Sequence, residues 1–286
     1  MITIVLGVLI LFGIIFLAFF VRDMILHKEE IKNLSWIKCG ILGFITNALN
    51  VLGIGSFATI TAGLRLMKQT DDRLIPGTLN VSCTIPVILQ AIVFIKAIEV
   101  DPVTLICMFA SAIAGSYLGA RIVVKLSEQL IRLVMGIALF IAAFLLLAGK
   151  FGWLPAGGDT FGISGGKLIV AATGNFFLGA LMTAGIGLYG PCMALVYLLG
   201  MSPAAAFPIM MGSCAFLLPV ASFKFMREGA YDRRSSLVLQ ISGTAGILTA
   251  TFVLLSLPIE IFRWIVIIVL IYTSFNLLVT FYRKRR

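Results

Sequence analysis

Two glycine-rich breaks in a strongly apolar chain are the segments best suited to bind a ligand. The first covers residues 53–56 (GIGS) and the second, 132 positions later, covers residues 185–191 (GIGLYGP). Glycine permits positive φ and close backbone approach. A helix that begins after such a break points unpaired N–H groups and a positive dipole end into the gap. Two facing breaks could therefore hold a small oxyanion without a fixed charge.

Polar side chains that can donate hydrogen bonds lie near both breaks. Hydroxyl, amide and thiol groups can donate to an oxyanion, although small and polar residues also join membrane helices to one another. Packing is thus the alternative role for each of them. The predicted substrate-binding set is Asn47, Asn50, Gly53, Gly55, Ser56, Asn80, Ser82, Gly185, Gly187, Tyr189, Gly190, Cys192, Ser213 and Cys214.

The positions of the acidic residues bear on the charge of the substrate. All 12 Asp and Glu residues fall in loops or at the ends of apolar segments. Cation and proton pathways usually place a carboxylate inside the membrane, so a neutral or anionic substrate is favoured. The single histidine, His27, lies in a charged segment and is assigned no role. Without a Ser-His-Asp or metal-ligand set, the sequence predicts no enzyme, no cofactor and no catalytic residue.

Two alternatives stay open from the residues alone. Sulfur atoms could bind a soft metal such as Cu(I), although Met and Cys in apolar helices are more often packing residues. A non-transporting membrane scaffold would need no binding group. The five cysteines stand singly in apolar runs, which predicts neither disulfides nor a zinc site. The sulfur atoms that a soft-metal site would use are those of Cys192 and Met193, directly after the second break, with Met210, Met211 and Cys214 nearby.

The composition indicates what positions these groups. The 286 residues are 60% hydrophobic and 12% charged, whereas soluble domains carry about 25% charged residues. This predicts an all-α polytopic membrane protein, because helices satisfy their own backbone groups in lipid. The net charge of +10 is interpreted as a basic excess on cytoplasmic loops, with no nucleic-acid partner.

The chain also shows a weak internal repeat. At an offset of 132 several Gly, Phe and Pro residues recur in order, and a one-residue shift near Glu228 continues the match to Arg263. The matched pairs include Phe44 with Phe176, Gly55 with Gly187, Pro76 with Pro208, Gly115 with Gly246 and Arg132 with Arg263. The predicted organisation is an N-terminal transmembrane helix (1–21), a cytoplasmic linker (22–36), repeat 1 (37–149), an extracytoplasmic linker (150–166), repeat 2 (167–282) and a basic cytoplasmic tail (283–286).

The basic residues predict the orientation of the repeats. With the C-terminus placed in the cytoplasm, the Lys and Arg residues fall on the cytoplasmic side except Lys96, Lys150, Lys167 and Arg263. The N-terminus is then outside. Each repeat has a hairpin at its glycine break followed by three crossings, so the second repeat is inverted relative to the first, a common plan in transporters. Whether the hairpins are re-entrant or fully spanning stays open, because both return to the same side.

The Gly-rich break after a short apolar helix, its recurrence in the second half, and the small-residue helices around Gly115 and Gly243 resemble the sulfite exporter TauE/SafE family. The resemblance covers about residues 37–282 and leaves the first helix as an addition. Family members typically show Gly-x-Gly-Gly-Gly followed by a proline, whereas here both breaks lack the glycine triplet and Ala62 stands at the first proline position.

The resemblance implies a permease of the bacterial inner membrane for small sulfur oxyanions such as sulfite or organosulfonates. We therefore expect a transporter of a small anion, working outward, with the substrate bound near the midplane between the two breaks. A membrane potential of 100 mV, negative inside, favours export of each negative charge by about 2.3 kcal/mol. The sequence leaves the oligomeric state open.

Overall fold

The chain is helical in the parts that the computed structural model describes. These are residues 2–27, 35–53, 55–67, 70–119, 158–183, 187–255 and 259–283, with scattered helical positions between 129 and 151. In chain order, the helices of the continuous ranges are α1 (Ile2–Leu26), α2 (Trp36–Val51), α3 (Ser56–Leu66), α4 (Ile75–Ala97), α5 (Pro102–Ala114), α6 (Gly165–Thr183), α7 (Tyr189–Leu198), α8 (Pro203–Arg227), α9 (Arg233–Leu255) and α10 (Ile259–Arg283).

Five of these helices, α1, α4, α6, α8 and α9, are long and apolar enough to cross a membrane. Helix α1 has 25 residues, which at about 1.5 Å per residue exceeds the roughly 30 Å of a hydrocarbon core. The prediction of an all-α membrane protein is confirmed at this level. Helix α1 continues to Leu26, five residues past the predicted end at 21.

Local sequence sets where several helices begin. Ser35 caps α2 by accepting from the Lys38 amide at 3.4 Å. Asp101 caps α5 by accepting from the Thr104 amide at 2.8 Å, and Ser202 caps α8. Prolines occupy the first turns of α5 and α8, where the missing N–H has no intrahelical partner to lose.

The starts of α2, α4 and α9 lie together, at what we call the first end. The Arg234 guanidinium lies 5.0 Å from the centre of the Trp36 ring. Thr70, in the segment between α3 and α4, hydrogen-bonds Ser235 at 2.9 Å, and the Asp232 amide donates to Thr78 Oγ1 at 2.9 Å. The hairpin formed by α2 and α3 therefore starts and finishes at this end.

The opposite end, which we call the second end, gathers the starts of α5, α6 and α8. The Asp101 amide, just after α4, donates to Phe161 O at 2.8 Å, and the Ser202 amide donates to Thr160 O at 2.8 Å. Helices α6 and α7 thus form a hairpin that starts and finishes at the second end.

Helix α1 is held at the first end by a partly buried ionic contact. Asp23 accepts from Tyr231 Oη at 2.6 Å and from Arg233 Nε at 2.8 Å. His27 Nδ1 lies 3.2 Å from the other oxygen of the same carboxylate, so this histidine has a defined partner. Burial raises the pKa of the Tyr231 phenol, and the hydrogen bond to Asp23 raises this pKa further. The phenol therefore stays neutral and donates.

Glycine allows the closest helix contacts. Helix α2 packs along α9, α6 packs along α5, and α4 packs against α8 in the centre. A β-carbon at Gly246 in α9 would overlap the carbonyl oxygen of Phe44 in α2, and one at Gly115, after α5, would overlap that of Phe176 in α6. These two contacts are equivalent under the sequence repeat, which paired Phe44 with Phe176 and Gly115 with Gly246.

We expect Gly246→Val to lower the stability of the folded protein by about 1–3 kcal/mol, because the side chain forces the α2 and α9 backbones apart. The measurement is the thermal unfolding midpoint of the detergent-solubilised protein. Gly40→Val is the matched control, since a β-carbon at Gly40 meets no atom within 4 Å. Equal midpoints for the two variants would contradict this account of the packing.

Candidate anion-binding site

A small cavity lies where the two glycine breaks meet. The two hairpins reach it from opposite ends, and α4 supplies one further residue. Its lining consists of Asn50, Gly55, Ser56, Phe57, Val87, Met182, Gly187, Leu188 and Tyr189. None of these nine side chains carries a formal charge.

The first break turns the chain through two glycines with positive φ. Gly53 has φ 90° and Gly55 has φ 80°, a region that L-residues with side chains rarely adopt. Gly55 is the N-cap of α3 and has no side chain to accept from the first amide of the helix. Asn50 supplies that acceptor instead, since its Oδ1 lies 2.9 Å from the Ser56 amide nitrogen.

The second break begins after α6 ends at Thr183 and leads into α7 at Tyr189. Among the described residues, no side chain caps this helix. Gly187 is exposed to the cavity, and a β-carbon built on it would meet no atom within 4 Å. Gly185 lies outside the described residues.

A hydrogen-bonded chain joins the two breaks. Asn50 Nδ2 donates to Gln90 Oε1 on α4 at 3.2 Å and to Tyr189 Oη on α7 at 3.4 Å. Gln90 is fully buried and Tyr189 is 4% exposed. Ser56 Oγ adds a contact to Cys83 Sγ at 3.5 Å. Asn50 is thus the residue through which the first break contacts the second.

The cavity is small in this conformation. Its volume is about 20 Å³, enough for about one water molecule. An oxyanion of several heavy atoms needs more room, so the two breaks would have to move apart to hold one.

The lining residues pair between the two halves of the chain. Four pairs are separated by the same 132 positions: Asn50 with Met182, Gly55 with Gly187, Ser56 with Leu188, and Phe57 with Tyr189. The first half supplies an amide and a hydroxyl, whereas the second supplies a thioether, an aliphatic chain and a phenol. The two halves of the chain therefore line the cavity from equivalent positions but with different chemical groups.

The structure brings five of the predicted substrate-binding residues into the lining, namely Asn50, Gly55, Ser56, Gly187 and Tyr189. Three more are adjacent in the chain: Gly53 belongs to the first break, and Gly190 and Cys192 are buried in the first turn of α7. Their binding role stays a prediction, as does that of Gly185.

The other predicted residues bond elsewhere. Asn47, Asn80 and Ser82 donate to carbonyl oxygens of their own helices, those of Gly43 (2.9 Å), Pro76 (2.8 Å) and Leu79 (3.3 Å). Ser213 accepts from Asn175 Nδ2 at 2.9 Å, and the Cys214 thiol donates to the sulfur of Met182 at 3.3 Å. Cys214 thus contacts a lining residue and Ser213 joins two helices, whereas Asn47, Asn80 and Ser82 bond within their own helices.

Sequence reasoning missed five residues at or beside the cavity: Phe57, Val87, Gln90, Met182 and Leu188. The repeat offset could have found Met182 and Leu188, since it maps Asn50 and Ser56 onto them. Gln90 carried a different signal, because an amide inside a long apolar run is rarely accidental.

Cysteine sulfur is present around the site, but it is dispersed. In the part of the chain that the structure describes, no group of three or more His, Cys, Asp or Glu residues is placed to hold a metal ion. The described cysteines are all free thiols.

Comparison with known families identifies the protein class. The model of the sulfite exporter TauE/SafE family matches residues 1–146, just over half of the 286 residues. The chain belongs to the TauE/SafE family. The family consists of membrane transporters of sulfur anions, not enzymes, and the apolar helices agree with a membrane transporter.

The TauE/SafE match includes the first glycine break with Asn50, Gly55 and Ser56. It also begins at residue 1 and so includes α1, which the sequence resemblance, drawn over 37–282, had set apart as an addition. No match was found among curated proteins or among solved structures.

We expect Asn50→Ala to destabilise the protein by about 1–3 kcal/mol, because the buried Ser56 amide and Gln90 carbonyl would both lose their partner. The thermal unfolding midpoint in detergent measures it. Asn80→Ala is the matched control, since the Asn80 side chain bonds only a carbonyl of its own helix. If Asn80→Ala lowers the unfolding midpoint as much as Asn50→Ala does, Asn50 has no special role in stability.

Proposed function

We propose that this TauE/SafE chain transports a small anion, preferentially a sulfur oxyanion such as sulfite or an organosulfonate, bound between the two glycine breaks. The observation that carries the proposal is the cavity itself, where two helix N-termini meet among uncharged donors. A site of this kind attracts an anion, and it repels a cation for the same reason.

The N-termini of α3 and α7 supply the attraction. These helices have 11 and 10 residues, and each carries a partial positive charge at its start. Ser56 and Tyr189 add hydroxyl groups. A carrier must also release its cargo, and uncharged donors favour release because they bind an anion less tightly than a buried Lys or Arg would.

An inverted-repeat architecture for the whole chain is part of the proposal. Three observations support it: the hairpins enter from opposite ends, α2–α9 packing mirrors α6–α5 packing, and the lining residues pair at one constant offset. The central contact of α4 with α8 would then lie on the pseudo-twofold axis. Such repeats rock against each other around a fixed midplane site.

The positions of the basic residues support the proposal that the first end faces the cytoplasm. Arg65 ends α3 there, and Lys224, Arg227, Arg233 and Arg234 surround the turn between α8 and α9. Basic residues near helix ends favour the cytoplasmic side. The N-terminus would then face outward and the C-terminus inward in a bacterial inner membrane, and the membrane potential would favour export of an anion.

The second end offers an exit route. A cleft of about 910 Å³ opens there between the end of α4 and the start of α8, lined in part by Ala97 and Ala204. One turn deeper, Phe94 and Phe207 stack with ring centres 5.6 Å apart. Gln90 follows on α4 and Cys214 lies further along α8, so we propose the aromatic pair as the barrier between the cleft and the cavity.

The test is flux in proteoliposomes containing sulfite, sulfoacetate, thiosulfate or sulfate, with and without an imposed potential. We expect selective, potential-sensitive movement of at least one anion. Gly187→Leu should abolish it by filling the cavity, whereas Gly187→Ala should retain it because a β-carbon there has open space.

No flux of any anion from folded wild-type protein would refute the proposal. Movement of Cu(I) or Ag(I) in the same vesicles would then favour the soft-metal carrier, and no movement of either would favour a scaffold. Wild-type flux from Gly187→Leu would remove the cavity from the transport path.

We expect Phe207→Ala to expose the interior to the second end, because it removes half of the aromatic pair. The measurement is labelling of Cys214 by a membrane-impermeant thiol reagent added from outside, with Cys214→Ser to identify the labelled site. Phe20→Ala, a buried α1 variant near the first end, is the control. Equal labelling rates in wild type and Phe207→Ala would contradict the gate.

A further inference from the structure

We propose that the Tyr189 hydroxyl is a side-chain donor to the anion, and that Gln90 orients it through Asn50. The proposal rests on the anion transport proposed above and assigns separate roles to residues around one site. The directions of the hydrogen bonds around Asn50 support it.

The Ser56 backbone amide sets that direction. An N–H group can only donate, so the Asn50 side-chain atom 2.9 Å from it must be the oxygen Oδ1. The amide nitrogen Nδ2 of Asn50 then faces the other way, toward Gln90 and Tyr189. One backbone group therefore fixes the orientation of the whole chain of bonds.

Asn50 is left with no hydrogen for a substrate. Its Nδ2 carries two hydrogens, and these are directed at Gln90 Oε1 and Tyr189 Oη, at 3.2 and 3.4 Å. Asn50 lines the cavity but acts on the substrate only through its neighbours. It is a positioning residue rather than a direct ligand.

Tyr189 is left with its hydrogen available. Its oxygen accepts from Asn50, and among the described residues no acceptor takes the phenolic proton. The side chain lines the cavity and is 4% exposed. An oxyanion that enters the cavity would supply the missing acceptor, and a buried hydroxyl without one is costly.

Gln90 fixes this arrangement from outside the cavity. It is fully buried on α4, and its Nε2 has no partner within the described part of the chain. Among the described residues, the side-chain hydrogen bond of Gln90 is the one that its carbonyl oxygen accepts from Asn50. If Gln90 were apolar, one Asn50 hydrogen would lose its acceptor and the amide could turn away from Tyr189.

The first experiment is the concentration dependence of flux for Tyr189→Phe, using the anion that the wild type moves. We expect KM to rise about tenfold to a hundredfold, the usual effect of losing a hydrogen bond to a charged group, with less change in maximal rate. Tyr197→Phe is the matched control, since Tyr197 lies on the same helix and does not line the cavity.

The two proposals fail in different ways. If the wild type moves no anion, both the proposed function and this inference are wrong. A wild type that moves an anion, with an unchanged KM in Tyr189→Phe, overturns the inference alone.

The second experiment is a double-mutant cycle with Gln90→Met, which keeps the shape of the side chain and removes its carbonyl. If Gln90 acts through Tyr189, Gln90→Met raises KM as a single substitution but raises it little further when Tyr189→Phe is already present. Additive effects, or an unchanged KM in Gln90→Met, would overturn the positioning role. Gln240→Met on α9 is the control for loss of a buried amide, and Gln90→Leu replaces Gln90→Met in the cycle if the latter does not fold.

Discussion

The hydrogen bond from the Ser56 amide to Asn50 Oδ1 organises the centre of the molecule. In a lipid-sealed core a broken helix exposes amides that water cannot satisfy. Asn50 meets one of them, and the rest of its amide group then reaches Gln90 and Tyr189. The glycine turn, the start of α3 and the contact between the two breaks therefore depend on one side chain.

In the proposed function, this arrangement allows an uncharged site to bind an anion. The helix starts and hydroxyls give a polar surface, while burial among apolar helices strengthens each interaction. The cavity has room for about one water molecule. In the proposed function the two breaks must separate to admit an anion, and the hydrogen bond from Asn50 to Tyr189 is the polar contact that would be lost.

The packing suggests how such opening could be confined to one side at a time. Helices α4 and α8 contact each other in the centre, and the Phe94–Phe207 stack closes this contact toward the second end. The repeat offset places Met226 and Ile75 at the corresponding positions near the first end. These two residues belong to different hydrophobic clusters, so the aromatic stack has no aromatic counterpart at the paired positions, and the two sides need not open with equal ease.

Much of the architecture could be predicted from the sequence, because it depends on local and additive properties. Apolar helices follow from composition, and the helix starts at Ser35, Asp101 and Ser202 follow from capping chemistry. Gly53 and Gly55 marked the first break because few other residues adopt positive φ. The offset of 132 linked Gly55 to Gly187, and both line the cavity.

The sequence by itself therefore determined the membrane class, the helix pattern and the two breaks. Only the tertiary structure decided which polar residues meet. Asn47 and Asn50 stand one helical turn apart and look alike in sequence, yet Asn47 bonds its own helix and Asn50 joins the two halves. Gln90 and Tyr189 are 99 positions apart in the chain. Their common contact with Asn50 arises only when hairpins from opposite ends close on α4, a long-range event that no local pattern encodes.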